Sequence, residues 1–129
     1  MIEILPIQDQ AAEQEILSQV ENAGPSARVL AMREREALLG WVALELEGDL
    51  LRILKLSSEG YDFSRKPQGE EIFILDSLMR SAASYGETFG ANRIETAFPD
   101  FFGFFKARGF DCDENHALTP VSTIVKYKF

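Results

Sequence analysis

Ile72, Leu75, Leu78, Met79, Ala82 and Phe89 recur at the three- and four-residue spacing of one helix face. The pattern predicts a long helix that Gly90 ends. Upstream the period changes to two. Leu38, Gly40, Val42, Leu44 and Leu46 fall on one face of a strand, and Leu39, Trp41, Ala43, Glu45 and Glu47 fall on the other. Gly48-Asp49 suits a tight hairpin turn, and Leu50–Leu56 returns as the paired strand. Ahead of this hairpin, Ile2–Pro6 reads as a strand stopped by proline. Asp9 caps a helix carrying Ala12, Ile16 and Val20 on one face and fraying near Asn22. Gly24-Pro25-Ser26 breaks the chain, Ala27–Arg33 is a strand, and Arg33-Glu34-Arg35-Glu36 is a charged connection.

After the polar loop from Ser57 to Gln68 and the long helix, Asn92–Ala97 reads as a short strand. Asp100 caps a second helix, Phe101 to Arg108, which stops at Gly109-Phe110. Asp111–Asn115 is a short strand or turn, and Val121–Tyr127 a final strand. The predicted order is β-α-β-β-β-α-β-α-β-β over one α/β (α+β) domain, residues 1–129. Such an order fits several layered topologies.

Composition narrows the class. The chain has 129 residues, 46% of them apolar and 26% charged, as in a globular protein with one core. It has no run of about 18 apolar residues, the length of a membrane span. Met1–Pro6 lacks the basic and apolar regions of a signal peptide. The single cysteine, Cys112, forms no internal disulfide, so a reducing cytoplasm is the expected compartment. A net charge of −8 argues against nucleic acid, whose phosphates are neutralised by Lys and Arg. The same charge suits a cationic amine substrate, and it equally suits solubility alone.

Phe105-Lys106-Ala107-Arg108-Gly109-Phe110 resembles the Tyr-x-x-x-Gly-Phe signature near the C-terminus of GNAT-superfamily N-acetyltransferases. The predicted element order is also that family's order, and Leu39-Gly40-Trp41 resembles its small-then-aromatic strand step. The resemblance implies a central mixed, mostly antiparallel sheet flanked by helices, and acetyl-CoA as cofactor. It further implies a splayed backbone at about Leu54 and Leu56, followed by a loop of the form Arg/Gln-x-x-Gly-x-Gly/Ala. Backbone N–H groups at a helix N-terminus hold the cofactor's diphosphate, and side chains there block its approach. Two registers match the loop. The preferred one places Lys66 first, Gly69 fourth and Glu71 at the last small position. The other, counted back from Gly90, puts Phe73 and Leu75 at the small positions. In the preferred register a carboxylate stands where the diphosphate belongs, although Glu70 and Glu71 are also ordinary first-turn residues.

The family's reaction is attack of an amine on a thioester, with a base for the ammonium and an acid for the departing thiolate. The tyrosine of the signature commonly supplies the acid, and here Phe105 replaces it. Phe98 and Phe101 stand at the family's upstream Asn and Ala. Tyr127 and Tyr85 are substitute acids, although amphipathic packing explains either. Glu45 and Glu47 are candidate bases or the solvated edge of a hairpin. His116 reads as a surface loop residue, and the flanking Asp111 and Asp113 blunt Cys112 as a nucleophile. Neither a Cys/His metal spacing nor a Ser/His/Asp arrangement stands out. Phe98, Phe101, Phe102, Phe104, Phe105 and Phe110 are mostly core, with any remainder lining an apolar acyl slot or an association surface such as a homodimer's. Two functions follow: an N-acetyltransferase acting on a small-molecule or protein amine, or a catalytically silent binding module on the same fold.

Overall fold

The computed structural model describes residues 2–21, 23–61, 67–97 and 102–125. The expectations placed on Asn22, Lys66, Phe98, Asp100, Phe101 and Tyr127 lie outside them, as does the side chain of Phe102. The elements are β1 (Ile2–Pro6), α1 (Gln10–Leu17), β2 (Arg28–Glu34), β3 (Ala37–Glu47), β4 (Leu50–Ser58) and α2 (Glu70–Thr88), then β5 (Arg93–Thr96), α3 (Phe102–Lys106), β6 (Asp111–Cys112) and β7 (Ala117–Pro120). The strands form one seven-stranded sheet in the order β1-β2-β3-β4-β5-β7-β6. Every pairing is antiparallel except β4 with β5, which the long helix connects in parallel. This is the mixed, mostly antiparallel sheet that the family resemblance implies.

Period-two strands with apolar residues on both faces require a helix on each side. On one face α2 covers Leu30, Met32, Val42, Leu44, Leu51, Ile53 and Leu56. On the other, α1 covers Val29, Ala31, Trp41 and Ala43. Asp9 caps α1 as expected, its Oδ1 accepting from the N–H groups of Ala11 and Ala12 at 3.0 and 3.3 Å. The buried Glu13 was not legible in the sequence pattern. Its carboxylate accepts from the Val29 N–H at 3.0 Å and from Arg28 Nε at 3.1 Å, fastening α1 to β2.

The buried stripe of α2 is Ile74, Leu75, Leu78, Met79, Ala82, Ala83 and Gly86. Ile72 and Phe89, expected on that face, are instead 37% and 60% exposed. The stripe is set by where the helix can approach the sheet. A Cβ on Gly40 would lie 2.5 Å from the Ser57 carbonyl and 2.8 Å from Ile74, and one on Gly86 would lie 2.9 Å from Leu51. Ile72 falls to one side of that line of contact and Phe89 lies past it. Gly90, with φ +95, ends the helix as expected. Its N–H donates to the Glu87 carbonyl and that of Ala91 to the Gly86 carbonyl, the paired bonds of a Schellman cap.

Two strand expectations are corrected. A bulge between β2 and β3 passes over Leu39, so Leu38 packs on the α1 side while Leu39 joins Gly40 on the α2 side. Among the described residues the last strand is Ala117–Pro120, and the expected Val121–Tyr127 strand does not form over residues 121–125. Val121–Thr123 is a 3-10 turn that buries Val121 and Ile124 together, a three-residue spacing that strand alternation cannot give. The Asp111–Asn115 stretch is β6 followed by a turn in which Asp113 accepts from the N–H groups of Asn115 and His116.

The segment after β5 is tied to α2 through Arg108. Its guanidinium lies 3.7 Å from the centroid of the Phe104 ring and donates to Asp76 at 2.6 Å and to the Phe104 carbonyl at 3.1 Å. Asp76 also accepts from Arg80, one turn along α2, at 2.8 Å. Burial raises the Asp76 pKa, but the two arginines outweigh it and hold the carboxyl below its ordinary value of 3.8. A carboxyl whose folded pKa is depressed contributes its full stability above the unfolded value and loses it as pH falls through the folded one. Asp76→Asn should therefore cost up to about 1 kcal/mol near neutral pH. It should also flatten the stability loss seen below about pH 4. Urea denaturation of both proteins across the acid range measures this, and parallel pH profiles would contradict it.

Candidate functional site

The parallel pairing of β4 with β5 runs only from Leu50↔Arg93 to Ile53↔Thr96. Asp49 holds its closed end. The Asp49 carbonyl accepts from the Asn92 N–H at 2.8 Å, and its carboxylate pairs with Arg93 at 3.2 Å. At the other end β4 continues to Ser58 against β3 alone among the described residues. The separation begins at a bulge. Leu44 pairs with Ile53 and Ala43 with Lys55, so Leu54 is the extra residue. The Leu54 side chain packs toward the α1 cluster and Leu56 is buried beneath α2. What β4 offers past Ile53 is therefore main chain: an edge whose N–H and C=O groups can receive an extended, amide-bearing ligand. The expectation of an opened backbone at Leu54 and Leu56 thus falls where the strand pairing ends.

The two loop registers fall at different places on α2. Gly69 is the N-cap, with φ +53, a left-handed backbone that glycine adopts without steric cost. A Cβ there would meet nothing within 4 Å, so the backbone conformation requires this glycine and crowding does not. Phe73 and Leu75 lie inside the helix, Phe73 exposed and Leu75 buried, so the register built on them does not coincide with the helix start. Lys66 is outside the described residues. Glu71 folds back over the helix start, where its Oε1 accepts from the Gln68 N–H at 3.1 Å. A carboxylate of this chain thus satisfies an amide at the place where an anionic ligand would dock.

Phe105 is fully buried, with ring centroids 5.5 Å from Phe104 and 5.0 Å from Phe110. Gly109, at φ +95, closes α3, and the Phe110 N–H donates to the Phe105 carbonyl at 3.2 Å. The signature segment is accordingly a helix cap and a core anchor. The other candidates do not converge on the β4 edge. Tyr85 packs against Phe89, ring centroids 4.7 Å apart, near the far end of α2, about 24 Å from Gly69 at the rise of an α-helix. Glu45 accepts from Ser26 Oγ at 3.0 Å and Glu47 pairs with Arg52 at 2.9 Å, both at the hairpin end of β4 where pairing is complete. His116 lies 3.9 Å from Asp113 in the turn after β6, and the half-buried Cys112 directs its sulfur toward the Phe110 carbonyl at 3.8 Å. Tyr127 lies outside the described residues. Among the described residues no cluster of three or more His, Cys, Asp or Glu side chains could hold a metal ion, and no helix is long and apolar enough to cross a membrane.

The sequence reading overlooked Ser58, which is 2% exposed and whose hydroxyl has no hydrogen-bond partner among the described residues. The signal was present. Ser58 follows Leu56 by two residues and so continues the buried face of its strand, where a hydroxyl is out of place.

No family model and no curated sequence matches this chain. Its architecture, in contrast, recurs among solved structures. The chain is similar to the IAA acetyltransferase from Bacillus cereus ATCC 14579, with 11% identity and a TM-score of 0.70 over 93% of this chain and 99% of that one. An acetyltransferase of the GNAT family from Staphylococcus aureus Mu50 is 10% identical, with a TM-score of 0.63 over 94% and 99%. A Bacillus subtilis acetyltransferase in complex with CoA is 11% identical, with a TM-score of 0.65 over 93% and 99%. At such identities the likeness is one of fold, and this protein has the fold of the GNAT N-acetyltransferases.

Proposed function

We propose that this chain is a GNAT-type N-acyltransferase that binds acetyl-CoA along β4 and passes the acetyl group slowly to an amine, without a side-chain acid at the leaving thiolate. The observation that carries this reading is that β4 runs on to Ser58 while its parallel pairing with β5 ends at Ile53. The amide-bearing arm of coenzyme A is the chemistry such an edge receives. The main chain at Leu54 and Leu56, Lys66 in the preceding loop and Gly69 at the head of α2 would hold the cofactor. The similar Bacillus subtilis acetyltransferase was solved with CoA, which supports the cofactor class. In the reaction the amine nitrogen bonds to the thioester carbon, the C–S bond breaks and the amine gives up a proton to water. The thiolate takes its proton from water, because Phe105 has none to give. The net charge of −8 favours a cationic amine as acceptor.

A silent binding module on the same fold is the second reading. Glu71 favours it, since its carboxylate occupies the head of α2.

Thermal unfolding with and without acetyl-CoA separates the two. A ligand at a hundred times its Kd adds about 2.7 kcal/mol, so a saturable upward shift is expected. Its absence at millimolar acetyl-CoA would leave the silent module. Glu71→Gln keeps an oxygen for the Gln68 N–H but removes the charge. A charge at a helix terminus is worth about 0.3–1 kcal/mol, so calorimetry should show acetyl-CoA binding roughly twofold to fivefold tighter. Unchanged or weaker binding would place the cofactor elsewhere. Phe105→Tyr should bury a hydroxyl among phenylalanines and lower stability by about 1–3 kcal/mol. Free-thiol release from acetyl-CoA across an amine panel should stay at trace levels in both proteins. A rise of about a hundredfold in the variant would mean that the new hydroxyl reaches the thiolate after all.

A further inference from the structure

β1 stands at one end of the strand order and β6 at the other. β6 is two residues long, whereas β1 has five, Ile2–Pro6, paired with β2 throughout and without a bulge. β1 has no lysine, and its one charged residue is Glu3. Such an edge is open to a further strand, because little in it blocks pairing. Residues 62–66, 98–101 and 126–129 follow β4, β5 and β7 in the chain, and those strands lie beyond β2 and β3 from this edge.

One bond fixes the direction of the main-chain groups. The Ile7 N–H donates to the Val29 carbonyl at 3.0 Å, in line with the Pro6↔Leu30 register. In an antiparallel pair the residues that exchange such bonds alternate. Leu5 and Glu3 therefore bond toward β2, and Ile2, Ile4 and Pro6 turn their main chain to the open side. The side chains divide as well. Glu3 and Leu5 stand in register with Arg33 and Ala31 on the α1 face, with Leu5 58% exposed. Ile4 packs on the α2 core, and Ile2 on the same face is 42% exposed.

We propose that β1 pairs antiparallel with β1 of a second copy of this chain across a twofold axis at Ile4, joining two sheets into one. Ile4 and the partner's Ile4 exchange hydrogen bonds in both directions. Each Ile2 N–H donates to the partner's Pro6 carbonyl, and Pro6, which has no N–H to give, is needed only as an acceptor. Ile2, Ile4 and Pro6 of the two copies form one apolar row, and on the opposite face Leu5 meets the partner's Glu3. The neighbouring registers are worse. Setting Ile2 against the partner's Ile4 puts Glu3 directly opposite the partner's Glu3, and like charges so placed are destabilising. Setting Ile4 against the partner's Pro6 carries Ile2 past the end of the partner's strand and loses its bonds. The strand is complementary to itself in one register, which a twofold pair closes. A standard interface engages roughly 20–30 residues a side, so a five-residue strand gives a weak dimer.

The test is sedimentation equilibrium of the whole protein up to millimolar concentration, at about 0.15 M salt, where charges more than about 8 Å apart are screened. The mass should rise with concentration and level at two copies, while hydrogen exchange at the Ile4 amide slows in step. Leu5→Glu sets carboxylates opposite each other at both symmetry-related places and should weaken the dimer roughly twofold to thirtyfold. Leu5→Lys meets the partner's Glu3 with opposite charge and should dimerise at least as tightly as the parent. Ser84→Glu and Ser84→Lys, at an exposed position on α2, change the net charge equally and should leave the dimer unaltered. The Leu5 variants replace an exposed side chain, and thermal melts matching the parent's at low concentration check their fold. A protein monomeric throughout, a mass growing beyond two copies, or Leu5→Glu and Leu5→Lys acting alike would each overturn the assignment.

Discussion

The seating of α2 on the meander is the constraint from which the rest of the structure follows. Two glycines, Gly40 on β3 and Gly86 on the helix, let backbone approach side chain and backbone more closely than any Cβ would allow. Between them Leu75, Leu78, Met79 and Ala82 are fully buried. At close-packed interior density a helix held this way has little freedom to slide or roll. Its N-terminus is therefore fixed beside the end of β4, and its C-terminal cap delivers the chain to β5. A methyl group at Gly40 would push Ile74 and Leu78 outward and move the head of the helix with them.

From that placement the opening of β4 is a local consequence. Asp49 pins the start of β5 to the β3–β4 turn, which fixes the parallel register at one end. The extra residue at Leu54 bends β4 at the point where that pairing stops. The pair of strands is thus closed by a charged clamp at one end and released by a bulge at the other. A strand that runs on past the end of its parallel pairing, beside a helix N-terminus, is a ligand-binding geometry on backbone grounds alone.

Side chains then decide what chemistry the geometry can do, and here they diverge from the resemblance seen in the sequence. Phe105 supplies core volume between Phe104 and Phe110 and no proton. Glu71 supplies to the head of α2 the negative charge that an anionic ligand would otherwise bring. Both residues suit the stability of the fold better than rapid acyl transfer. The fold is that of the GNAT N-acetyltransferases while these side chains differ from the family's pattern, and a fold does not fix an activity.

The sequence by itself determined the element order, the cap at Asp9, the stop at Gly90, the hairpin at Gly48-Asp49 and the start of the long helix at Gly69. Each depends on local chemistry: a side chain that accepts from nearby amides, a residue tolerant of positive φ, or a period that matches a helix or a strand. The resemblance of the Phe105–Phe110 segment added the sheet architecture, and its parallel step lies where the short strand after the helix was expected. Tertiary structure decided the remainder, because it depends on contacts between residues far apart in the chain. Ile72 and Phe89 match the helical period yet stay outside, since the line of approach runs through Gly40 and Gly86. Leu38 and Leu39 exchange faces because a bulge, invisible to a count of alternating residues, shifts the parity. Glu13 reads as a helix-surface carboxylate until β2 brings the Val29 amide to it. Ser58 reads as part of a polar loop until β4 runs on through it and buries it.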